Sequence, residues 1–242
     1  MMKVRFNERV PLRDGVTVSA DLYLCAEPAP VVIARTPYNK NTEFCVDKAR
    51  LYHERGYHFM WVDVRGRGDS DGVFEPYRNE GPDGYDVIEW AAQQPWCDGK
   101  VATWGQSYLG AAQWLAAIEQ PPSLAAMVVY VTPSDPFIEW PSGIHSPQQI
   151  YWHRMVDGRI QQHADAIDFT PVYRHLPLMT MDEAAGFHSV AWRNDLNHGP
   201  AETEYWDPLA FQHKLGDVTV PTLGVTGWYD DVQPGTLISF AR

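Results

Sequence analysis

Hydrophobic and polar positions along the chain change period several times. Residues 4–10 and 16–24 read as two strands, with Arg13-Asp14-Gly15 as the turn between them. The breakers Glu27-Pro28-Ala29-Pro30 precede a short apolar run, 31–34, that suits a buried strand. The pattern then alternates. It predicts helices at 42–55, 82–94 and 108–119, and strands at 57–64, 100–105 and 124–131. Strand and helix in alternation imply a mainly parallel sheet covered on both faces, an α/β fold. From about residue 136 to 216 the β-branched runs disappear. Short helical stretches such as 148–166 predict a helical insertion there. The strand-helix rhythm resumes with a strand at 218–225 and the start of a helix at 235–241. The expected organisation is thus a first core part at 1–135, an insertion at 136–216 and a second core part at 217–242.

Composition narrows the class. The 242 residues include 45% hydrophobic and 13% aromatic side chains, enough for a substantial core without disulfides or metals. Net charge is −12 and no Lys/Arg cluster stands out, so nucleic acid is not an expected partner. The longest apolar run, 124–131, is far short of a bilayer span. The N-terminal residues carry charges where a signal peptide has its apolar core. Three widely spaced cysteines, Cys25, Cys45 and Cys97, form no disulfide framework or zinc pattern. The expectation is a cytoplasmic globular protein without metal or organic cofactor.

The strongest chemical signal is Trp104-Gly105-Gln106-Ser107-Tyr108-Leu109-Gly110, between a predicted strand and a predicted helix. A nucleophile elbow holds its serine on such a turn, and crowding there demands small neighbours, which Gly105, Gly110, Ala111 and Ala112 supply. The helix N-terminus would aim backbone N–H groups at a developing oxyanion. The generic G-x-S-x-G spacing is missed by one residue, and the same position would also suit a helix N-cap. An acid to orient the base should follow a late strand. Asp230, in Gly227-Trp228-Tyr229-Asp230-Asp231, fits that place, although it would equally cap the next helix.

These segments, with three others, resemble the cocaine-esterase and X-prolyl dipeptidyl peptidase group of serine hydrolases, the CocE/NonD type. The others are Arg35-Thr-Pro-Tyr38-Asn-Lys40, Asp63-Val-Arg-Gly-Arg-Gly-Asp-Ser-Asp-Gly72 and Trp96-Cys-Asp-Gly-Lys-Val101, in the family's order. The resemblance implies an α/β-hydrolase fold with a helical cap. Ser107 would be the nucleophile, Asp230 the triad acid, and the Tyr38 hydroxyl with the Tyr108 backbone N–H the oxyanion hole. The substrate would be a small ester or peptide, with a proline-directed dipeptidase or a non-catalytic fragment as alternatives.

Two features depart from the family pattern. All nine histidines precede Asp230, whereas the family's base follows the acid. The family's C-terminal β-sandwich has no counterpart. The expectation is therefore a piece ending before the last strand or strands, weakly active or inactive alone. A histidine of the insertion such as His145 or His153 would be the substitute, without a third group to orient it. Some α-amino-acid ester hydrolases of the family hold an ammonium with a carboxylate cluster. Asp231 offers one extra carboxylate beside Asp230.

The loop Gly66-Arg67-Gly68-Asp69-Ser70-Asp71-Gly72 lacks dinucleotide-fingerprint spacing and reads as a glycine-shaped loop near the site. Its Arg-Gly-Asp tripeptide is attributed to chance. His53, Glu54 and His58 miss zincin spacing by one residue. Trp140, Trp152, Trp192 and Trp206 would line an acyl pocket or pack the insertion's own core, with packing preferred.

Overall fold

The computed structural model describes residues 2–134 and 146–241. Seven strands form one sheet: β1 (Lys3–Pro11), β2 (Thr17–Leu24), β3 (Ala29–Thr36), β4 (His58–Asp63), β5 (Cys97–Gln106), β6 (Leu124–Tyr130) and β7 (Thr222–Val225). Their spatial order is β1-β2-β4-β3-β5-β6-β7. The β1–β2 hairpin and the β2–β4 pair are antiparallel. From β4 through β3, β5 and β6 to β7 every pairing is parallel.

Three helices return the chain between parallel strands: α1 (Glu43–His53), α2 (Glu80–Ala92) and α3 (Tyr108–Ile118). Thr42 caps α1, its hydroxyl accepting from the Cys45 N–H at 3.3 Å. Successive side chains of a strand face opposite sides, so the central strands feed two cores. Val31, Ile33, Met60 and Val62 pack with Val87 and Ile88 of α2. Val32, Ala34, Phe59 and Trp61 pack on the other face with Cys45 and Ala49 of α1. Burial on both faces is why β3 and β4 read as continuous apolar runs rather than alternating ones. Helix α3 is buried from Tyr108 to Ala117, and its apolar, Ala-rich sequence suits an enclosed helix.

Between β6 and β7 the described chain is helical. It forms α4 (Gln149–Met155), α5 (Phe169–Val172), α6 (Met181–Ala184), α7 (Val190–Asn197) and α8 (Thr203–Trp206), with short 3-10 turns. Ile150, Phe169, Val172, Met181 and Trp192 make this segment's own small core. The last helix, α9 (Gln233–Phe240), follows β7.

Two expectations need correction. The helix predicted at 148–166 stops at Met155, and only a 3-10 turn at Ala164–Ala166 follows. The strand predicted at 218–225 begins at Thr222, because pairing with β6 starts at Met127–Thr222; Val218 and Val220 pack against the core instead. The residue 135/136 boundary, Trp140 and His145 lie outside the described residues. Among the described residues no helix is long and apolar enough to cross a membrane.

Candidate active site

Ser107 links β5 to α3 at φ 54° and ψ −125°. A non-glycine residue at positive φ is strained and persists only where its surroundings fix it. Here the Ser107 N–H donates to the Tyr130 carbonyl of β6 at 3.0 Å. The Ser107 carbonyl accepts from Gly110 N–H and Ala111 N–H at 2.9 and 3.2 Å. A Cβ on Gly105 would strike the Leu109 side chain, and one on Gly110 would strike the Thr132 hydroxyl. The small residues around the serine are therefore demanded by close packing. The Ser107 side chain makes no capping hydrogen bond to α3, which sets the N-cap reading aside and leaves the hydroxyl for other chemistry.

Tyr38 follows β3, the neighbour of β5 in the sheet. Its hydroxyl lies within hydrogen-bonding reach of the Ser107 side chain and accepts from Trp152 Nε1–H at 3.2 Å. Burial pushes the Tyr38 phenol up, so it stays protonated and a donor near neutral pH. Trp152, on α4, also stacks with Tyr77 and Tyr108, at ring centroid distances of 6.0 Å to each.

Tyr108 contributes in two ways. Its N–H opens α3, where first-turn donors have no partner inside the helix. Its side chain points into the core, donating to Glu80 Oε1 at 2.8 Å and accepting from Tyr77 N–H at 3.0 Å. Glu80 in turn faces Arg35 Nη1 at 2.9 Å, both side chains under a tenth exposed. Arg35 also donates to the Glu80 and Ala112 carbonyls, at 2.8 and 2.6 Å. Burial pushes the Glu80 carboxyl up, and Arg35 pulls it back towards the charged form. This network anchors α3 beneath the serine.

A cavity of about 570 Å³ opens in front of Ser107 and is also lined by Asp230, Asp231, His153 and Asp195. Phe74, Trp152, Trp206 and Phe211 give it apolar walls. Among the expected tryptophans, Trp192 packs the helical segment's core, while Trp152 and Trp206 reach the cavity. Asp230 is half-buried. Its Oδ1 accepts from Val232 N–H at 3.0 Å, so it also closes the turn before α9. His153 Nδ1 lies 3.3 Å from Ser189 Oγ, and its Nε2 lies 4.0 Å from Asp195 Oδ2. Asp195 accepts from the Tyr205 hydroxyl at 2.5 Å, and burial pushes its carboxyl up to about 6.

Arg67 is fully buried, which removes its Arg-Gly-Asp tripeptide from any adhesive role. Sequence reasoning did not single out Glu80 or Asp195, and it offered Trp152 only as an acyl-pocket or packing residue, not as a partner of Tyr38. For Trp152 the usable signal is chemical: a buried indole N–H seeks a polar partner, here the Tyr38 hydroxyl.

A mainly parallel sheet that carries a serine at positive φ between a central strand and a helix defines an α/β-hydrolase. Sequence comparison takes the class further. Residues 14–241 match the X-Pro dipeptidyl-peptidase (S15) family, and the chain belongs to it. It is 29% identical to cocaine esterase of Rhodococcus sp. (strain MB1 Bresler), covering 98% of this chain and 46% of the esterase. Two solved structures share the fold at 22% identity: an α-amino acid ester hydrolase, TM-score 0.81, and an aminopeptidase from a marine sediment Thaumarchaeota archaeon, TM-score 0.80. Each covers 99% of this chain and has 45% of its own length covered. The chain thus spans a little under half the length of these relatives.

Proposed function

We propose that Ser107 is the acyl-accepting nucleophile of a hydrolase of ester or amide bonds. The observation that carries this reading is the strained Ser107 backbone, with the Tyr38 hydroxyl alongside and a cavity in front. Ser107 Oγ would lose its proton to a base and attack the substrate carbonyl. The Tyr38 hydroxyl and the Tyr108 N–H would donate to the resulting oxyanion. Collapse expels the alcohol or amine, which takes up the proton, and water then releases the acid from the serine. The helical segment acts as a cap whose aromatic residues hold the acyl group.

Asp230 is the acid that orients the base, and a histidine outside these 242 residues is that base. Two observations support this. Asp230 follows a late parallel strand and shares the cavity with Ser107, while His153 is engaged with Ser189 and Asp195. A serine without its base loses several orders of magnitude in rate but keeps its oxyanion donors.

A fluorophosphonate probe tests the nucleophile, and an aryl ester tests turnover. The expected result is slow labelling confined to Ser107, absent in Ser107→Ala, with turnover near background. No labelling would point to a non-catalytic role. Rapid turnover abolished by Ser107→Ala would show that the base lies within the chain. Comparing the ester with a proline-linked dipeptide anilide, on a form carrying the base, separates esterase from dipeptidyl peptidase.

A further inference from the structure

Arg67 lies in the loop after β4 with 0% of its surface exposed. Burial pulls its guanidinium down to about 10, which leaves it charged at neutral pH. A buried charge is costly unless something nearby answers it. Its hydrogen bonds go to a set of carbonyls, and the Asp63 and Asp157 carboxylates attract it from nearby. Nε donates to the Pro37 carbonyl at 2.6 Å; Nη1 donates to the Val156 carbonyl at 2.5 Å and also to that of Gly158. The guanidinium carbon also sits 5.2 Å from the ring centroid of Phe74, a cavity wall residue.

Those carbonyls belong to two segments that meet at the site. Pro37 immediately precedes Tyr38. Val156 and Gly158 immediately follow α4, the helix that carries Trp152. The two segments are tied to each other as well, for Gln161 N–H donates to the Tyr38 carbonyl at 3.0 Å. Gly68 N–H donates to the Arg159 carbonyl at 2.6 Å, and Arg159 Nε returns a bond to the Gly68 carbonyl at 3.1 Å. Arg67 is therefore the shared anchor of a three-part joint. One part holds the backbone of Tyr38 and another brings the indole that holds its hydroxyl.

We infer that Arg67 is a positioning residue for the chemistry at Ser107: it fixes the Tyr38 hydroxyl and adds a positive charge, held in place by hydrogen bonds to carbonyls, on the oxyanion side. The inference rests on the reading of Tyr38 as an oxyanion donor. The Arg67 charge also favours the ionised form of the Tyr38 phenol, against the effect of burial, and a phenol so polarised is a stronger donor. A fixed charge held by the fold needs no reorganisation as the oxyanion forms.

Arg67→Met and Arg67→Lys in the full chain test this, with folding checked by thermal melting. Three quantities are read: the rate of fluorophosphonate attachment to Ser107, amide exchange at Gln161, and the ring resonance of Tyr38 in carbon-labelled protein, assigned with Tyr38→Phe. Arg67→Met is expected to slow attachment by about tenfold or more. Arg67→Lys keeps the charge but not the fork, so it should recover to within about threefold of native. Exchange at Gln161 should rise in both variants, because neither side chain bridges the three carbonyls. Native attachment rates in a folded Arg67→Met protein would overturn the proposal, and equal slowing in both variants would overturn its electrostatic part. Should native Ser107 not label at all, the nucleophile reading fails separately. Tyr38 resonance and Gln161 exchange unchanged in Arg67→Met would then overturn the positioning role, and altered values would support it.

Discussion

Tyr38 and Asp230 follow strands that lie on opposite sides of β5 in the sheet, and the two flanks are built differently. The Tyr38 flank is wired from within. Its N–H donates to Thr36 Oγ1 at 3.1 Å, its carbonyl and hydroxyl accept from Gln161 and Trp152, and Arg67 holds the residue before it. On the Asp230 flank, β7 is mostly exposed, and Trp228 and Tyr229 stand in solvent. The described hydrogen bond of the Asp230 carboxylate goes to its own turn. Within these 242 residues, one flank is held by contacts between distant segments and the other by its own turn. Under the proposed roles, the oxyanion donor would be preorganised by long-range burial, whereas the acid would be set by a local turn.

Perturbing the inner flank should have the largest effect. Arg35→Met would strip the buried Glu80 carboxylate of its cation and free the carbonyls that Arg35 serves. A loss of ~3–5 kcal/mol in urea unfolding is expected. A loss below ~1 kcal/mol would mean that this flank is no more tightly built than the other.

Next comes the wall between the flanks. Asp195 holds its proton to about pH 6 in the folded protein, against an ordinary value of 3.8. The unfolded chain releases that proton first, so this group lowers stability as pH rises from about 4 to about 6, by at most ~3 kcal/mol. Asp195→Asn should remove that part of the slope, so that between about pH 4 and 6 the variant's stability falls less, or rises more, than that of native in parallel denaturation curves. Identical slopes would show that the carboxyl is not desolvated.

The smallest effect belongs to the outer flank. Asp230→Ala loses a turn hydrogen bond and should cost under ~1 kcal/mol. The labelling rate of Ser107 in this chain should be unchanged. A marked fall in that rate would mean that Asp230 already acts on the serine without a histidine between them.

Much of the inner architecture was legible in the sequence because its causes are local or periodic. The apolar runs of β3 and β4 are continuous because both faces are covered, and the Gly-x-Ser-Tyr-x-Gly pattern exposes the crowding at Ser107. The place of Asp230 after a late strand also agrees with the pattern, although that strand is shorter than expected. The helix predicted at 148–166 stops at Met155, where a local breaker, Gly158 at φ 76°, meets a long-range tie. Arg67, from a loop about ninety residues earlier, draws the carbonyls of Val156 and Gly158 to itself, and the helix ends at Met155. No window centred on α4 contains that arginine. Reading the Gly66–Gly72 loop as a packing element near the site agrees with its contacts, but its shape in sequence does not say that Arg67 joins Tyr38 to Trp152.

Ser107 itself carries a cost that says something about selection. At φ 54° a side chain is unwelcome, and residues held in such sparsely populated backbone regions cost on the order of 1–3 kcal/mol. Glycine would meet that torsion without a steric penalty. A lineage kept only for its fold would drift towards glycine at this position, trading the hydroxyl for stability. The serine is thus a standing handicap to the fold, and the proposed role of its hydroxyl is what would offset it.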